Sequence, residues 1–111
     1  PYFMAYPDVG NITGWNYDIC TELQLSANHI VQIHLKDTRK VSTSCNGQFR
    51  DLVIGEGEVD FAAIFNTLAK IGYNGPLVLE MWAKDALWAS NLKTAKARLV
   101  ELSQQAGLAL A

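Results

Sequence analysis

The sequence has few cysteines, no long apolar run and little excess charge, and each absence argues against a class of protein. Its 111 residues include two cysteines, Cys20 and Cys45, too few for a disulfide framework and too far apart for a paired metal-binding motif. No apolar stretch approaches the roughly 20 residues of a membrane-spanning helix, and no signal peptide is visible. The formal net charge of −2 gives no electrostatic reason to expect a nucleic acid or an anionic membrane as a partner. We therefore expect reduced thiols, a cytoplasmic location, and no nucleic-acid or membrane partner.

The sequence is rich in apolar side chains, as expected for a globular domain with a large core. Hydrophobic residues make up 50% of the chain and charged residues 18%, and residues 1–111 suit one small domain. The chain begins at Pro1, without an initiator methionine, and runs directly into a strand-like segment. Its last segment, in contrast, has the pattern of a closing helix. We therefore expect that the N-terminal part of a larger protein precedes this chain.

Strand-like and helix-like segments alternate along the sequence. The segment at residues 29–35 is β-branched and almost continuously apolar, as expected for a strand buried on both faces of a parallel sheet. Asp60 has the position of an N-cap, and Gly72 that of a C-terminal stop, for the helical pattern between them. This succession favours an α/β fold with parallel strands. The pattern predicts strands at residues 2–6, 29–35 and 76–79, helices at 12–25, 61–71 and 86–111, and an irregular polar loop from 36 to about 58.

Three side chains that can bind metal ions lie at the ends of the three predicted strands: Asp8, His34 and Glu80. In a parallel α/β architecture the carboxyl ends of the strands lie on one rim, so these residues could converge although they are far apart in sequence. Carboxylate and imidazole groups are ordinary ligands of divalent metal ions. The sequence therefore predicts a metal site like those of barrel enzymes. Three strand–helix units are nevertheless less than half of an eight-stranded barrel of about 250 residues.

Each of the three residues also has an ordinary structural interpretation. Asp8 could start an Asx-turn or cap the following helix, and a single histidine at a strand end is commonly a hydrogen-bonded structural residue. Glu80 is harder to explain in this way, because an acid that ends a buried apolar strand needs a partner to offset its desolvation. His29, at the opposite end of its predicted strand from His34, is interpreted as structural.

Five short motifs occur in an order and spacing that resemble a known family. They are YPDVGN at residues 6–11, HLKDT at 34–38, GEGEVDF at 55–61, GYNGP at 72–76 and EMW at 80–82. The combination resembles the L-ribulose-5-phosphate (L-xylulose-5-phosphate) 3-epimerases, which are xylose isomerase-like TIM barrels. The resemblance extends from Tyr6 to the last predicted helix and implies the C-terminal three βα units of a (β/α)8 barrel. One departure is a longer connection, residues 39–46, between the second motif and the third.

The resemblance implies a divalent metal ion bound by a Glu, an Asp, a His and a Glu. The last three correspond to Asp8, His34 and Glu80, and the first would lie upstream of Pro1. Such ligands suit Mn²⁺ or Zn²⁺ and tolerate Mg²⁺ or Co²⁺. The implied reaction is the 3-epimerisation of a ketopentose phosphate, in which a proton leaves one face of C3 and returns to the other through an enediolate. Glu80 would be one of two acid–base groups, so the 111-residue chain alone is expected to be inactive.

The resemblance and the loop composition also give five candidates for binding a sugar phosphate: Lys36, Asp37, Arg50, Glu56 and Trp82. Lys36 and Asp37 could instead simply begin the loop, and Glu56 could order it. Arg50 could contact the phosphate group or be a solvated loop charge. Trp82 could serve packing, although its position next to Glu80 favours a place at the site.

Two other functions stay open at this stage. A related aldose–ketose or hexulose-phosphate isomerase on the same fold would use similar ligands, and a non-catalytic fragment or assembly module would catalyse nothing. A three-stranded parallel sheet taken from a barrel exposes two unpaired edges and an apolar face. We therefore expect this chain by itself to swap, dimerise or aggregate. We also expect the complete protein to be a homo-oligomer.

Overall fold

Helices and strands alternate along the chain in the computed structural model, which describes residues 3–82 and 86–108. The longest element is the last helix, of 18 residues. No helix within the described ranges is both long enough and apolar enough to cross a membrane. The elements are α1 (Val9–Gly14), α2 (Ile19–Ser26), a 3-10 helix (Ala27–His29), β1 (Ile33–Leu35), β2 (Arg39–Ser42), β3 (Cys45–Gln48), α3 (Phe61–Lys70), β4 (Leu77–Leu79) and α4 (Trp88–Gln105).

A parallel sheet brings three segments of the chain side by side. β1 pairs in parallel with β4, with His34 opposite Val78. On the other side of β1, the N-terminal segment forms isolated parallel bridges from Ala5 to Ile30 and from Asp8 to His34. The carboxyl ends of all three segments therefore lie on one edge. This arrangement confirms the predicted α/β fold with parallel strands.

The strands are shorter than the sequence predicted. Of the predicted first strand, the described residues contain only the isolated bridge at Ala5, and residue 2 lies outside them. The predicted strand at residues 29–35 is wrong at its start, because His29 ends a 3-10 helix that continues directly from α2. The backbone becomes extended only at Ile30. Short strands are sufficient to align the three segments, and the candidate ligand residues lie at their carboxyl ends.

The predicted single helix at residues 12–25 is wrong, because the chain forms two helices there. α1 begins after Asp8, whose side chain accepts a hydrogen bond from the backbone N–H of Asn11. Asn16, just beyond the end of α1, has a positive φ of 64°, which breaks the helical path. Asp18 then accepts hydrogen bonds from two backbone N–H groups and starts α2. Two aspartate caps therefore divide a region whose apolar spacing resembles that of one helix.

The predicted irregular loop contains an antiparallel hairpin formed by β2 and β3, with Arg39 opposite Gln48. Phe49, directly after β3, packs against the end of α1, where its ring centroid lies 5.3 Å from that of Trp15. Any side chain at Gly14 would collide with the Phe49 ring. The hairpin is thus fixed over α1 by a long-range contact that local sequence patterns do not reveal.

The apolar core lies where the helices pack together and onto the sheet. α3 contacts both α2 and α4, and its N-cap, Asp60, accepts a hydrogen bond from the Ala63 N–H as predicted. The predicted closing helix corresponds to α4, although residues 109–111 lie outside the described residues. Each fully buried Leu, Ile or Phe contributes roughly 1.5–3 kcal/mol relative to an exposed one. The buried apolar residues are Val9, Ile19, Leu23, Ile33, Leu35, Ile54, Phe61, Ile64, Phe65, Leu68, Ala95 and Leu99.

Candidate metal centre

Asp8, His34 and Glu80 come together at the carboxyl edge of the parallel sheet. Asp8 and His34 form a parallel bridge, and the backbone N–H of Glu80 donates to the carbonyl of Leu35. Each residue offers one ligand atom, and the three atoms lie within 4.8 Å of one another. The side chains are partly buried, with exposed fractions of 16% for Asp8, 21% for His34 and 28% for Glu80. The expected convergence is therefore present, and two carboxylates with one imidazole fit a divalent metal ion.

His34 is held by hydrogen bonds at both ring nitrogens. Its Nδ1 lies 2.8 Å from Oε2 of Glu80, and its Nε2 lies 2.7 Å from the hydroxyl of Tyr6. An ionised carboxylate can only accept, so Nδ1 carries the proton, and in the neutral imidazole Nε2 accepts from the Tyr6 hydroxyl. The two rings meet edge to face, with centroids 4.5 Å apart. These contacts fix the orientation of the imidazole, and a metal ion bound by His34 would replace one of its hydrogen bonds.

Asp8 caps α1 and also belongs to the cluster. Its Oδ1 accepts from the backbone N–H of Asn11 at 2.9 Å, and its Oδ2 accepts from the Nδ2 of the same residue at 2.9 Å. Oδ2 also lies 3.1 Å from the ammonium group of Lys36. The capping interpretation is therefore confirmed, and it is compatible with metal binding because the cap holds the carboxylate in place beside His34.

Lys36 connects the two carboxylates of the cluster. Its Nζ lies 3.1 Å from Oδ2 of Asp8 and 3.6 Å from Oε1 of Glu80, and its side chain is only 9% exposed. Two carboxylates at this spacing repel each other, and the ammonium group between them offsets the repulsion. The structure thus places this predicted substrate residue against two candidate metal ligands.

Glu80 keeps its negative charge despite partial burial. Burial by itself raises the pKa of its carboxyl group, whereas the hydrogen bond from His34, the charge of Lys36 and a hydrogen bond from the Trp82 side chain lower it. The lowering contributions are larger in sum, and the pKa of Glu80 lies below its ordinary value. The carboxylate is therefore ionised at neutral pH, as a metal ligand and a proton acceptor both must be.

Two of the predicted substrate residues, Arg50 and Trp82, lie together beside Glu80. Trp82 lies two positions beyond Glu80 and helps to lower the pKa of its carboxyl group, and the guanidinium carbon of Arg50 lies 4.3 Å from the centroid of the Trp82 ring. This distance is typical of a cation–π contact. Both side chains are exposed to solvent. They form a cationic and aromatic surface next to the cluster.

The other two predicted substrate residues, Asp37 and Glu56, make their contacts within the loop that follows β1. Glu56 is exposed, and its Oε2 lies 3.4 Å from the N–H of Val53. Any side chain at Gly57 would collide with the Asp37 carboxylate. These contacts favour loop ordering over substrate contact for both residues. The Asp37 side chain is buried, and its oxygens accept hydrogen bonds at 2.8–3.2 Å from the backbone N–H groups of Thr38, Gly55, Gly57 and Val59.

Sequence reasoning did not select Tyr6 and Asn11, which hold His34 and Asp8. Both residues leave a signal in the sequence. Tyr6 precedes Asp8 by two positions, which places their side chains on the same face of an extended segment. Asn11 follows Asp8 by three positions, where an N-cap side chain finds its N–H partner. Residues that orient a candidate ligand at a strand end can therefore be sought two positions before it and three positions after it.

Residues 1–101 match the sequence model of a family described as xylose isomerase-like TIM barrel. The chain is 50% identical over 86 residues to SgbU of Escherichia coli strain K12 and 41% identical over 109 residues to SgbU of Haemophilus influenzae, both provisionally named L-ribulose-5-phosphate 3-epimerase. It is 44% identical over 86 residues to the L-ribulose-5-phosphate 3-epimerase UlaE of Escherichia coli strain ATCC 8739. These alignments cover 78%, 97% and 78% of this chain. The chain spans about a third of the length of these relatives, namely 30%, 38% and 28%.

Solved structures contain the same arrangement of helices and strands. A xylose isomerase domain protein from Planctomyces limnophilus superimposes with a TM-score of 0.83 at 24% identity, over 98% of this chain and 40% of that protein. An L-ribulose 3-epimerase superimposes with a TM-score of 0.70 at 22% identity, over 93% of this chain and 37% of that enzyme. At these identities the likeness shows the fold alone. Together with the family match over residues 1–101, the parallel sheet and its carboxyl-edge cluster show that this chain belongs to the xylose isomerase-like TIM barrel family.

Proposed function

We propose that this chain forms the metal-binding part of a sugar-phosphate 3-epimerase, an isomerase that inverts C3 of a ketopentose phosphate such as L-ribulose 5-phosphate or L-xylulose 5-phosphate. The observation that carries the proposal is the cluster of Asp8, His34 and Glu80, whose ligand atoms lie within 4.8 Å of one another. The names of relatives that are 41% to 50% identical to this chain supply the substrate class.

Asp8, His34 and Glu80 would hold a divalent metal ion, and their donor atoms suit Mn²⁺ or Zn²⁺ and tolerate Mg²⁺ or Co²⁺. When bound, the ion supplies Lewis-acid stabilisation of the negative charge that develops on the sugar oxygens at C2 and C3. Tyr6 and Asn11 would keep the imidazole and the Asp8 carboxylate oriented for binding. The fourth ligand, a glutamate by resemblance, would come from outside residues 1–111.

Glu80 is the proposed acid–base residue of this chain. Its carboxylate is ionised at neutral pH, so it can accept the proton from C3. Its Oε2 is held by His34 and its Oε1 faces Lys36, so both oxygens have a defined orientation before the sugar binds. Inversion of C3 requires a second group on the opposite face of the sugar, which we assign to a residue outside this chain.

The proposed substrate surface is narrower than the sequence suggested. Arg50 and Trp82 lie beside Glu80 and are proposed to face the sugar phosphate, whereas Lys36 would act through the carboxylates that it contacts. Asp37 and Glu56 are proposed to order the loop. A homo-oligomeric assembly in the cytoplasm completes the proposal, on grounds of composition and resemblance.

Proton exchange at C3 tests the proposal. The complete protein is freed of metal by chelation, reloaded separately with Mn²⁺, Zn²⁺, Mg²⁺ or Co²⁺, and incubated with L-ribulose 5-phosphate in D₂O while proton NMR spectra are recorded. We expect deuterium at C3 and formation of L-xylulose 5-phosphate only when an ion is present. Deuterium at C1 with formation of an aldose phosphate would identify an aldose–ketose isomerase instead. Absence of exchange with all four ions would favour a non-catalytic module.

A further inference from the structure

Tyr6 contacts the candidate metal cluster through its hydroxyl group. The hydroxyl oxygen lies 2.7 Å from Nε2 of His34, and the two rings meet edge to face with centroids 4.5 Å apart. Tyr6 belongs to the segment that leads into Asp8, and this segment pairs in parallel with β1 through Asp8 and His34. The strand pairing that forms the cluster therefore also places the hydroxyl, at the imidazole nitrogen that does not contact Glu80.

The other nitrogen of His34 faces the carboxylates. Nδ1 lies 2.8 Å from Oε2 of Glu80, and the ammonium group of Lys36 joins Glu80 to Asp8. An ion held by all three candidate ligands must lie between the imidazole and both carboxylates, and Nδ1 is the nitrogen on that side. Without an ion, Nδ1 carries the proton, because an ionised carboxylate can only accept a hydrogen bond. The proton on Nδ1 therefore has to leave before this nitrogen can bind a metal ion.

The Tyr6 hydroxyl is suited to such a change because a hydroxyl group can either donate or accept a hydrogen bond. Without an ion it donates to the unprotonated Nε2 of His34. When Nδ1 binds an ion, a neutral imidazole carries its one proton on Nε2, and the Tyr6 oxygen can accept from it. Tyr6 is 51% exposed, so water can accept the hydroxyl hydrogen once it has turned away from the ring. Neither state leaves a polar atom of this pair without a hydrogen bond, a loss that would oppose metal binding.

We propose that Tyr6 is a positioning residue for metal binding, whose hydroxyl changes from donor to acceptor as the proton of His34 moves from Nδ1 to Nε2. The proton exchanges through solvent, so the imidazole is neutral before and after, and the two side chains keep the same number of protons. Histidine ligands of metal ions almost always donate their other N–H to an acceptor, which fixes the tautomer and the ring orientation. This inference rests on the proposed function, because it requires a metal ion at His34.

NMR spectra of the complete protein test the change of tautomer. The histidine side chains are isotope-labelled at nitrogen, and long-range proton–nitrogen correlation spectra are recorded after chelation and after titration with Zn²⁺, which is diamagnetic. The signals of His34 are identified by their absence from His34→Gln. We expect the proton of His34 on Nδ1 without Zn²⁺ and on Nε2 with it.

Tyr6→Phe tests the contribution of the hydroxyl group, because it keeps the ring that meets His34 edge to face. We expect calorimetric titration to show an affinity for Zn²⁺ about tenfold lower than that of the wild type, as for other groups that orient a metal ligand. The Nε2–H signal of the loaded variant should broaden through exchange with water. Tyr17→Phe, which removes the hydroxyl of another exposed tyrosine, is the control and should bind Zn²⁺ like the wild type. Circular dichroism establishes that each variant is folded.

Three results would overturn the assignment. A proton that stays on Nδ1 in the loaded wild type would mean that the ion binds Nε2 and displaces Tyr6. Equal affinity of the wild type and Tyr6→Phe for Zn²⁺ would mean that the hydroxyl has no part in metal binding. Signals of His34 that do not respond to Zn²⁺ would remove the metal site, and the proposed function with it. If the tautomer changes as expected but C3 exchanges no deuterium, the epimerase function fails while the role of Tyr6 stands.

Discussion

Asp37 and Glu80 both follow the carboxyl ends of neighbouring parallel strands, but their oxygen atoms bind different kinds of donor. The Asp37 carboxylate is buried and accepts hydrogen bonds from four backbone N–H groups. The Glu80 carboxylate is 28% exposed and contacts the side chains of His34, Lys36 and Trp82. Backbone donors cannot leave without rearranging the loop, whereas side-chain donors can rotate away. The comparison therefore distinguishes a carboxylate that organises the fold from one that can exchange its partners for a ligand.

Glu80→Gln should produce the largest effect, and it should be confined to activity. The amide keeps the size of the side chain but can neither remove the C3 proton nor hold a cation as a carboxylate does. We expect the complete protein to remain folded and to lose epimerisation by several powers of ten, about 1.4 kcal/mol of transition-state stabilisation for each. Glu101→Gln, on the exposed surface of α4, is the matched control. Near-normal turnover of Glu80→Gln would place the acid–base role elsewhere.

Asp37→Ala should produce the next largest effect, and it should appear as lost stability. Removal of the carboxylate leaves backbone N–H groups of the loop without partners, and each buried unpaired donor costs about 1–3 kcal/mol. We expect the free energy of unfolding, measured by urea denaturation of the complete protein, to fall by roughly 3 kcal/mol or more. Asp60→Ala, which removes the N-cap of α3, should cost about 1 kcal/mol. If Asp37→Ala lowered the free energy of unfolding no more than Asp60→Ala does, Asp37 would not be the carboxylate that organises the fold, and its contrast with Glu80 would be wrong.

Lys36→Met should have the third largest effect. Unlike the two losses above, it should be a gain, namely tighter binding of a divalent ion. The Lys36 ammonium group lies against both Asp8 and Glu80, so its charge opposes a second cation there. We expect calorimetric titration of the metal-free protein with Mn²⁺ to show an affinity at least about tenfold higher, which equals about 1.4 kcal/mol. Lys36→Arg keeps the charge and should show no such gain, and Lys40→Met tests an exposed lysine nearby. Weaker Mn²⁺ binding by Lys36→Met would show that the lysine supports the metal site.

Asp18→Ala should give the smallest effect. The Asp18 carboxylate caps α2 and is fully exposed, so water screens its interactions. Hydrogen bonds from the side chain and backbone of Thr21 lower the pKa of Asp18 below its ordinary value of 3.8. Because the pKa is lower in the folded state, ionised Asp18 stabilises the fold above pH 3.8, and this contribution is lost as the pH falls through the folded value. Asp18→Ala should therefore lower Tm slightly at neutral pH, and its difference from the wild type should narrow in acid. If the difference in Tm between Asp18→Ala and the wild type widened in acid instead, the pKa of Asp18 could not be lowered in the folded state.

The parallel arrangement and the convergence of the three candidate ligands could be predicted from the sequence because they follow from local patterns. Apolar runs that end in Asp8, His34 and Glu80 indicate strand ends, and parallel pairing places such ends on one edge. The hairpin could not be predicted in this way, because β2 and β3 lack an alternation of apolar and polar residues. The contact that fixes the hairpin, between Phe49 and the end of α1, joins residues far apart in sequence.

The sequence also could not tell which polar residues contact the candidate site and which ones order the loop. Lys36 and Asp37 are adjacent in the sequence and equally polar, yet one contacts the ligand cluster and the other is enclosed by the backbone of residues 55–59. Their different roles depend on partners that arrive from later parts of the chain. The break between α1 and α2 was likewise missed because apolar spacing outweighed the turn residues Asn16 and Asp18 in the prediction.

The wide spacing of the proposed ligands along the chain would couple metal binding to folding. His34 and Glu80 are 46 positions apart, and Asp8 lies on a third segment, so their ligand atoms come together only once the sheet has formed. An unfolded chain cannot offer all three donors to one ion, and an ion held by all three therefore binds the folded state preferentially. By mass action it shifts the folding equilibrium by RT ln(1 + [L]/Kd). The same three side chains proposed for the chemistry would thus make the stability of the sheet depend on the concentration of available divalent ions.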